Sequence, residues 1–189
     1  CRKKRCTLMF KYLIIFIFLI ITSNAQASNK EKIIENLQSI ENLNFNFEQN
    51  INGKIEIGNC TIQYPKKIYC KYTKNNKILV SNGKILYIGK KPNFHQYSLK
   101  KTPLNLLLDK NFLIKKINIL NEQIIDDAYI NFKIIENNNE INIFFDKKSF
   151  HLIGWQTKDV YQNISVTYIS SIKENQQVDK NLFKSPKQN

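Results

Sequence analysis

The sequence predicts a mainly β domain of the α+β kind, a strongly curved antiparallel sheet with short helices laid on its concave side. Three observations predict it. From Phe45 onward, apolar and polar residues alternate with period two over most of the chain. Turn residues interrupt those runs at short intervals, as in Tyr64-Pro65-Lys66-Lys67 and Ser81-Asn82-Gly83-Lys84. Helical spacing is confined to two or three brief stretches, and a curved sheet plugged by helices is one of few ways to bury the apolar faces that remain. A chain of 189 residues has material for one such core.

The elements follow in order. Residues 1–27 read as an export signal: Arg2, Lys3, Lys4, Arg5 and Lys11 precede an uncharged run from Tyr12 to Ile21, and Ala25-Gln26-Ala27 is the small-x-small pattern that signal peptidase accepts. That run is well short of the roughly 20 apolar residues that span a bilayer. Cleavage after Ala27 leaves residues 28–189 as a single exported, soluble domain. Met9 is the only methionine and offers a second possible translation start, on which Cys1 and Cys6 carry no chemistry.

Ser28 or Asn29 can cap a helix running to about Asn42, with Ile33, Ile34, Leu37 and Ile40 along one stripe. Phe45, Phe47, Gln49 and Ile51 then share one face of a strand. Strands over 54–57 and 60–73 follow, the second folded at Pro65 so that Cys60, Ile62, Tyr64, Ile68, Cys70 and Tyr72 face the same way. Ile78 to Ile88 reads as a hairpin whose Asn82-Gly83 can supply the two positive φ angles of a type I′ turn. A strand from Phe94 to Leu99 leads to Thr102-Pro103, an N-cap and first-turn proline for a short helix carrying Leu104, Leu106, Leu107 and Leu108. Residues 112–120 fit helix or strand. Ala128–Ile135, Glu140–Asp146, Leu152–Lys158 and Ile164–Ile172 read as a closing antiparallel meander, and the tail is polar except for Leu182-Phe183.

Charge and reactive residues exclude several functions. The chain holds 29 Lys+Arg against 15 Asp+Glu, a net +14, but every basic residue beyond the signal is lysine. The absence of arginine's planar fork, together with export, argues against specific nucleic-acid binding. His95 and His151 are the only histidines, and neither has a second ligand at a zinc-like spacing. Asp126-Asp127 and His151 are the residues an enzyme reading would use, yet no glycine-framed nucleophile accompanies them, so no enzyme and no cofactor is expected. A hairpin centred on Pro65 sets Cys60 opposite Cys70, in a compartment where a disulfide can form; two buried free thiols are the alternative.

The order helix, Phe45-x-Phe47-x-Gln49, a Gly58 strand ending in Ile62-Gln63-Tyr64-Pro65, Ile78 to Leu86 with Ser81-Asn82-Gly83-Lys84, Thr102-Pro103-x-x-Leu106-Leu107 and a final Leu182-Phe183-Lys184-Ser185-Pro186 resembles the periplasmic outer-membrane lipoprotein carrier family, LolA. The resemblance spans nearly the whole exported chain. It implies an incomplete β-barrel covered by helices, enclosing an apolar cavity that shields the acyl chains of lipoproteins from water. On that reading Phe47, Ile62, Tyr64, Ile68, Tyr72 and Leu86 belong to the cavity wall, and Leu104, Leu106, Leu107 and Leu108 to a mobile lid. The implied partners are lipoproteins, an inner-membrane lipoprotein-releasing ABC transporter and an outer-membrane lipoprotein receptor, with the carrier acting as a monomer in the periplasm. A sensing or regulatory domain of the same fold, binding lipid or protein, is the alternative. The acceptor protein of this fold needs a cysteine after its cleavage site, where this chain has Ser28.

The chain departs from the family pattern at two places. Many members carry an arginine before the first hairpin's proline, tying lid to barrel, where this chain has Tyr64, and Cys70 stands where an aromatic residue is common. Trp155, the only tryptophan, fits either the cavity mouth or the core.

Overall fold

A capping box starts the first helix, α1 (Asn29–Ser39): the Glu31 N–H donates to the Ser28 hydroxyl at 3.3 Å and the Ser28 N–H donates to the Glu31 carboxylate at 2.7 Å. The computed structural model describes residues 27–136, 139–158 and 163–186, so the expected export signal, Ala27 apart, lies outside the described residues. Ile33 and Leu37 form the buried stripe of α1.

Among the described residues eleven strands follow in one antiparallel sheet: β1 (Asn42–Ile51), β2 (Lys54–Gln63), β3 (Lys67–Tyr72), β4 (Ile78–Asn82), β5 (Ile85–Lys90), β6 (Asn93–Ser98), β7 (Gln123–Ile125), β8 (Tyr129–Glu136), β9 (Asn139–Asp146), β10 (Leu152–Lys158) and β11 (Ile164–Glu174). Their spatial order is β6-β5-β4-β3-β2-β1-β11-β10-β9-β8-β7. Two meanders thus run outward from a central β1–β11 pair, and the curved sheet does not close. The segment between the meanders carries two further helices, α2 (Leu104–Leu107) and α3 (Lys110–Ile119). Leu104, Leu107, Leu108 and Leu113 of this segment meet inward-facing Ile62, Ile68, Ile143 and Trp155, which places the helices on the concave side as expected.

Three local expectations change. The first concerns turns. At Asn82-Gly83 only Gly83 has positive φ (+99°), and Ser81 pairs with Leu86, so Gly83 and Lys84 are the central residues. Glycine at the first central position is the type II′ placement. Local bonds move the turn: Asn82 Oδ1 accepts from the Lys84 and Ile85 N–H groups, and Ser81 Oγ from Gly83 N–H. Two consecutive positive φ angles occur instead at Asn52 (49°) and Gly53 (84°), between β1 and β2, and at Asp126 (50°) and Asp127 (54°), between β7 and β8.

The second is that β2 runs unbroken through Gly58 and Asn59. Gly58 lies opposite Phe47, and a Cβ there would sit 2.2 Å from the Lys71 carbonyl oxygen and 2.7 Å from the Phe47 ring. Gly58→Ala therefore forces β3 or the Phe47 ring to move. It should cost about 1–3 kcal/mol of unfolding free energy, read from a urea midpoint, and an unchanged midpoint would contradict this close packing.

The third is the Thr102 cap. Its hydroxyl donates to the Leu99 carbonyl at 2.8 Å, closing a 3₁₀ turn (Leu99–Lys101), and Pro103 directly precedes α2. Asp109 caps α3 by accepting from the Phe112 N–H at 3.1 Å, which resolves residues 112–119 as helix, with Leu113 and Ile117 inward and Leu120 as the extended C-cap. A second 3₁₀ turn (Lys180–Phe183) packs on β3 and β4 and buries Phe183.

The interior is one continuous apolar cluster in which the residues of α1, α3, β8 and β9 are the most tightly enclosed. Ile33, Ile117, Ile130, Phe132, Ile141 and Ile143 are fully buried. Phe132 and Phe145 meet edge to face at 6.0 Å. The half built from β1 to β5 is filled less completely.

Candidate functional site

A cavity of about 440 Å³ lies between the inner faces of β1 to β5, the ends of β10 and β11, and the segment from Lys101 to Leu107. This is within the roughly 300–1,000 Å³ range of small-molecule sites. Its walls are mainly apolar: Phe47, Cys60, Ile68, Cys70, Tyr72, Leu79, Leu86, Ile88 and Trp155, with Leu104 and Leu107 contributed by α2. A much smaller void adjoins it, lined by Ile62, Tyr64, Ile68, Leu108 and Leu113 among others; Leu104, Leu107 and Trp155 line both.

The register explains the wall. Gln63 pairs with Lys67 across the hairpin turn, so Cys60 lies opposite Cys70 and Ile62 opposite Ile68. The two cysteines form a disulfide in the cavity wall, with Cα atoms 4.1 Å apart. Phe47 packs edge to face on Tyr72 at 5.0 Å, and Phe45 does the same on Trp155 at 6.3 Å.

One side of the cavity is polar. Glu56, nine-tenths buried, is held by the Lys77 ammonium at 2.5 Å and approached by Lys54 at 3.6 Å. Lys77 also stands over the Tyr72 ring, 3.8 Å from its centre. Burial, and then the Glu56 charge, push the Tyr72 phenol up to about 12 from 10.0. The folded protein therefore retains a proton that the unfolded chain loses, so this contribution to stability is intact below pH 10 and falls away between pH 10 and about 12. Thermal melts across that range should fall less steeply for Tyr72→Phe than for the native protein; parallel curves would contradict the assignment.

The segment expected to form the lid is tied down at three points. The Lys66 N–H donates to the Leu108 carbonyl at 2.8 Å, and the Lys66 ammonium pairs with Asp109 at 3.2 Å. The Lys110 ammonium donates to the carbonyls of Gln38 and Ile40 at 3.1 and 2.7 Å, closing off the C-terminal end of α1. These contacts join the lid to the β2–β3 turn on one side and to α1 on the other.

The family model described as outer membrane lipoprotein carrier protein LolA matches residues 29–186. The chain belongs to the LolA family. No curated protein sequence matches it. Among solved structures, a LolA superfamily protein from Nitrosomonas europaea is 10% identical, with 84% of this chain and 99% of that one covered and a TM-score of 0.44. An uncharacterized conserved protein from Thermus thermophilus is 7% identical over 84% of this chain and 93% of that one, with a TM-score of 0.50, a likeness of fold. LprF from Mycobacterium bovis is 9% identical over 82% and 97%, with a TM-score of 0.43. The LolA family is periplasmic and binds lipids or lipoproteins. Among the described residues no helix is long and apolar enough to cross a membrane.

Of the residues expected at a LolA cavity, Phe47, Ile68, Tyr72, Leu86, Leu104 and Leu107 line the larger space. Ile62, Tyr64 and Leu108 line the smaller one. Leu106 is buried in the core cluster and lines neither. Trp155 stands between the two spaces, at once cavity wall and core.

Tyr64, at the LolA arginine position, makes no side-chain hydrogen bond among the described residues; burial raises its phenol pKa, and Lys110 lies 5.9 Å from its ring centre. The lid contacts come from Lys66, two positions later, and from Asp109 and Lys110. Sequence reasoning missed all three, although Asp109-Lys110 directly after the leucine run was a signal for them. It also missed the polar side of the cavity, because Ser165, Thr167 and Thr157 look like ordinary strand residues. Asp126 and Asp127 sit in the β7–β8 turn, where Asp127 pairs with Lys147, and His151 Nδ1 lies 2.8 Å from the Glu174 carboxylate without the geometry of a hydrogen bond. They are not brought together at the cavity.

Proposed function

We propose that the protein carries lipoproteins through the periplasm, holding their acyl chains in the cavity beneath Leu104 and Leu107 and handing them to an outer-membrane receptor. The single observation behind this reading is that cavity: an apolar space of about 440 Å³ in an open half-barrel, roofed by a short leucine-bearing helix. Each CH₂ taken out of water gains about 0.8 kcal/mol, so a multiply acylated anchor leaves a membrane at a useful rate only when something else covers it.

The lid contacts suit a space that must open. α2 is a single helical turn, and the Lys66–Asp109 pair is about a third exposed at both ends. Such a pair is worth at most about 1 kcal/mol, small against the burial energy of an entering acyl chain. On this reading the N-terminal 27 residues are a cleaved export signal, the donor is an inner-membrane lipoprotein-releasing ABC transporter, and the carrier works as a monomer. Washed inner-membrane vesicles supplied with ATP test it. The exported protein should bring a triacylated lipoprotein into the supernatant as a one-to-one complex; empty supernatants beside a working LolA control would overturn the carrier role.

A further inference from the structure

The polar side of the cavity carries hydrogen-bonding capacity that the protein leaves unused. Ser165 and Thr167 project inward from β11 and are 8% and 3% exposed. The Gln49 amide donates to both hydroxyls, at 3.0 and 3.3 Å, and its carbonyl oxygen accepts from the Tyr72 hydroxyl at 3.5 Å. Both Gln49 amide hydrogens are thereby engaged. Each hydroxyl accepts from Gln49 but has its own proton still to donate, and among the described residues neither finds an acceptor. A buried donor without an acceptor is costly, so two of them side by side in a cavity wall select a ligand that brings an acceptor.

Charge points the same way. Lys77, Lys101 and Lys158 border the cavity against one carboxylate, Glu56, and Lys77 already neutralises Glu56. Lys101, together with Lys158, whose charge is shared with Glu140, is left to favour a partially or fully negative group on the ligand. The apolar side, from Phe47 to Leu107, offers such a ligand's hydrocarbon a surface without hydrogen-bonding groups.

We infer that Ser165 and Thr167 form a head-group subsite that donates hydrogen bonds to the carbonyl oxygen of an acyl chain, with Lys101 and Lys158 adding attraction when that head is a carboxylate. This rests on the acyl-binding reading above and assigns the orientation: carbonyl toward β10 and β11, methyl end toward β3 to β5. The carbonyl can come from an acyl ester of a lipid-modified protein or from a free fatty acid.

Three twelve-carbon probes separate the possibilities by their binding to the exported protein: dodecanoate, methyl dodecanoate and dodecyltrimethylammonium. The last has the same chain but no acceptor. Both carbonyl probes should bind on the order of tenfold more tightly than the ammonium, the difference expected of one or two good hydrogen bonds. Ser165→Ala with Thr167→Val should erase the methyl ester's preference over the ammonium, whereas the part of the dodecanoate preference that Lys101 and Lys158 supply should remain. Dodecanoate well ahead of its methyl ester identifies the free acid as the favoured source; equal binding of the two identifies the ester. If all three native affinities are equal, or the ester's preference survives the double substitution, the subsite is refuted and the acyl cavity stands. If none of the probes binds, the acyl cavity fails as well. The comparison on the native protein needs no variant to fold.

Discussion

Replacing Cys60 and Cys70 together by alanine should lower the unfolding free energy by about 2–3 kcal/mol and the melting temperature by several degrees. The two residues are 10 positions apart, and closing so short a loop removes about that much chain entropy from the unfolded state. Their place gives the bond a second consequence. It joins β2 to β3 in the cavity wall, two positions along each strand from the Ile62–Ile68 pair that backs the lid. Reducing the native protein with dithiothreitol should reproduce the melting temperature of the double variant. A variant as stable as the native protein would show that hairpin packing alone holds these strands.

Replacing Leu104 by aspartate should weaken the binding of an acyl probe at least tenfold while changing the melting temperature by only a few degrees. Leu104 is half-buried in the folded protein and lines both the larger cavity and the adjoining void. A carboxylate there can reach water with the lid as it stands, so folding tolerates it. An acyl chain filling the cavity would strip that water away, at a cost of several kcal/mol for an unpaired charge. Leu104→Met, apolar and of similar size, should bind as the native protein does. Equal loss in both variants would mean that α2 contributes shape alone.

The fold was legible because its evidence is local. Pro65 stands midway between Cys60 and Cys70, so a symmetric hairpin brings them together whatever the rest of the chain does, and the period-two faces of β1 and β8 to β11 identify their inward residues. What was not legible depends on distant partners. β7 is exposed at all three of its residues and carries no alternation to find. The stretch from Phe112 to Leu120 is apolar at both helical and strand spacing, and the choice falls to helix through the Asp109 cap and the packing of Leu113 and Ile117. The turn at Asn82-Gly83 slides by one residue because Ser81 and Asn82 use their side chains on the nearby backbone. Tyr64 showed only that an arginine was missing. That Lys66 supplies the neighbouring contact follows from the turn carrying its backbone and its ammonium toward Leu108 and Asp109, a relation across more than forty residues of chain.

Trp155 gives the most direct measurement of whether the cavity takes acyl chains. It is the only tryptophan and lines the space beside Leu104 and Leu107, so its fluorescence reports contact there and nowhere else. A diacylated or triacylated lipopeptide brominated along its acyl chains should quench Trp155 saturably at one ligand per protein, and an unbrominated lipopeptide should compete the quenching away. Quenching that rises linearly without saturation, no greater than that of free tryptophan in the same solution, would mean that no chain enters, and lipoprotein carriage would lose its physical basis.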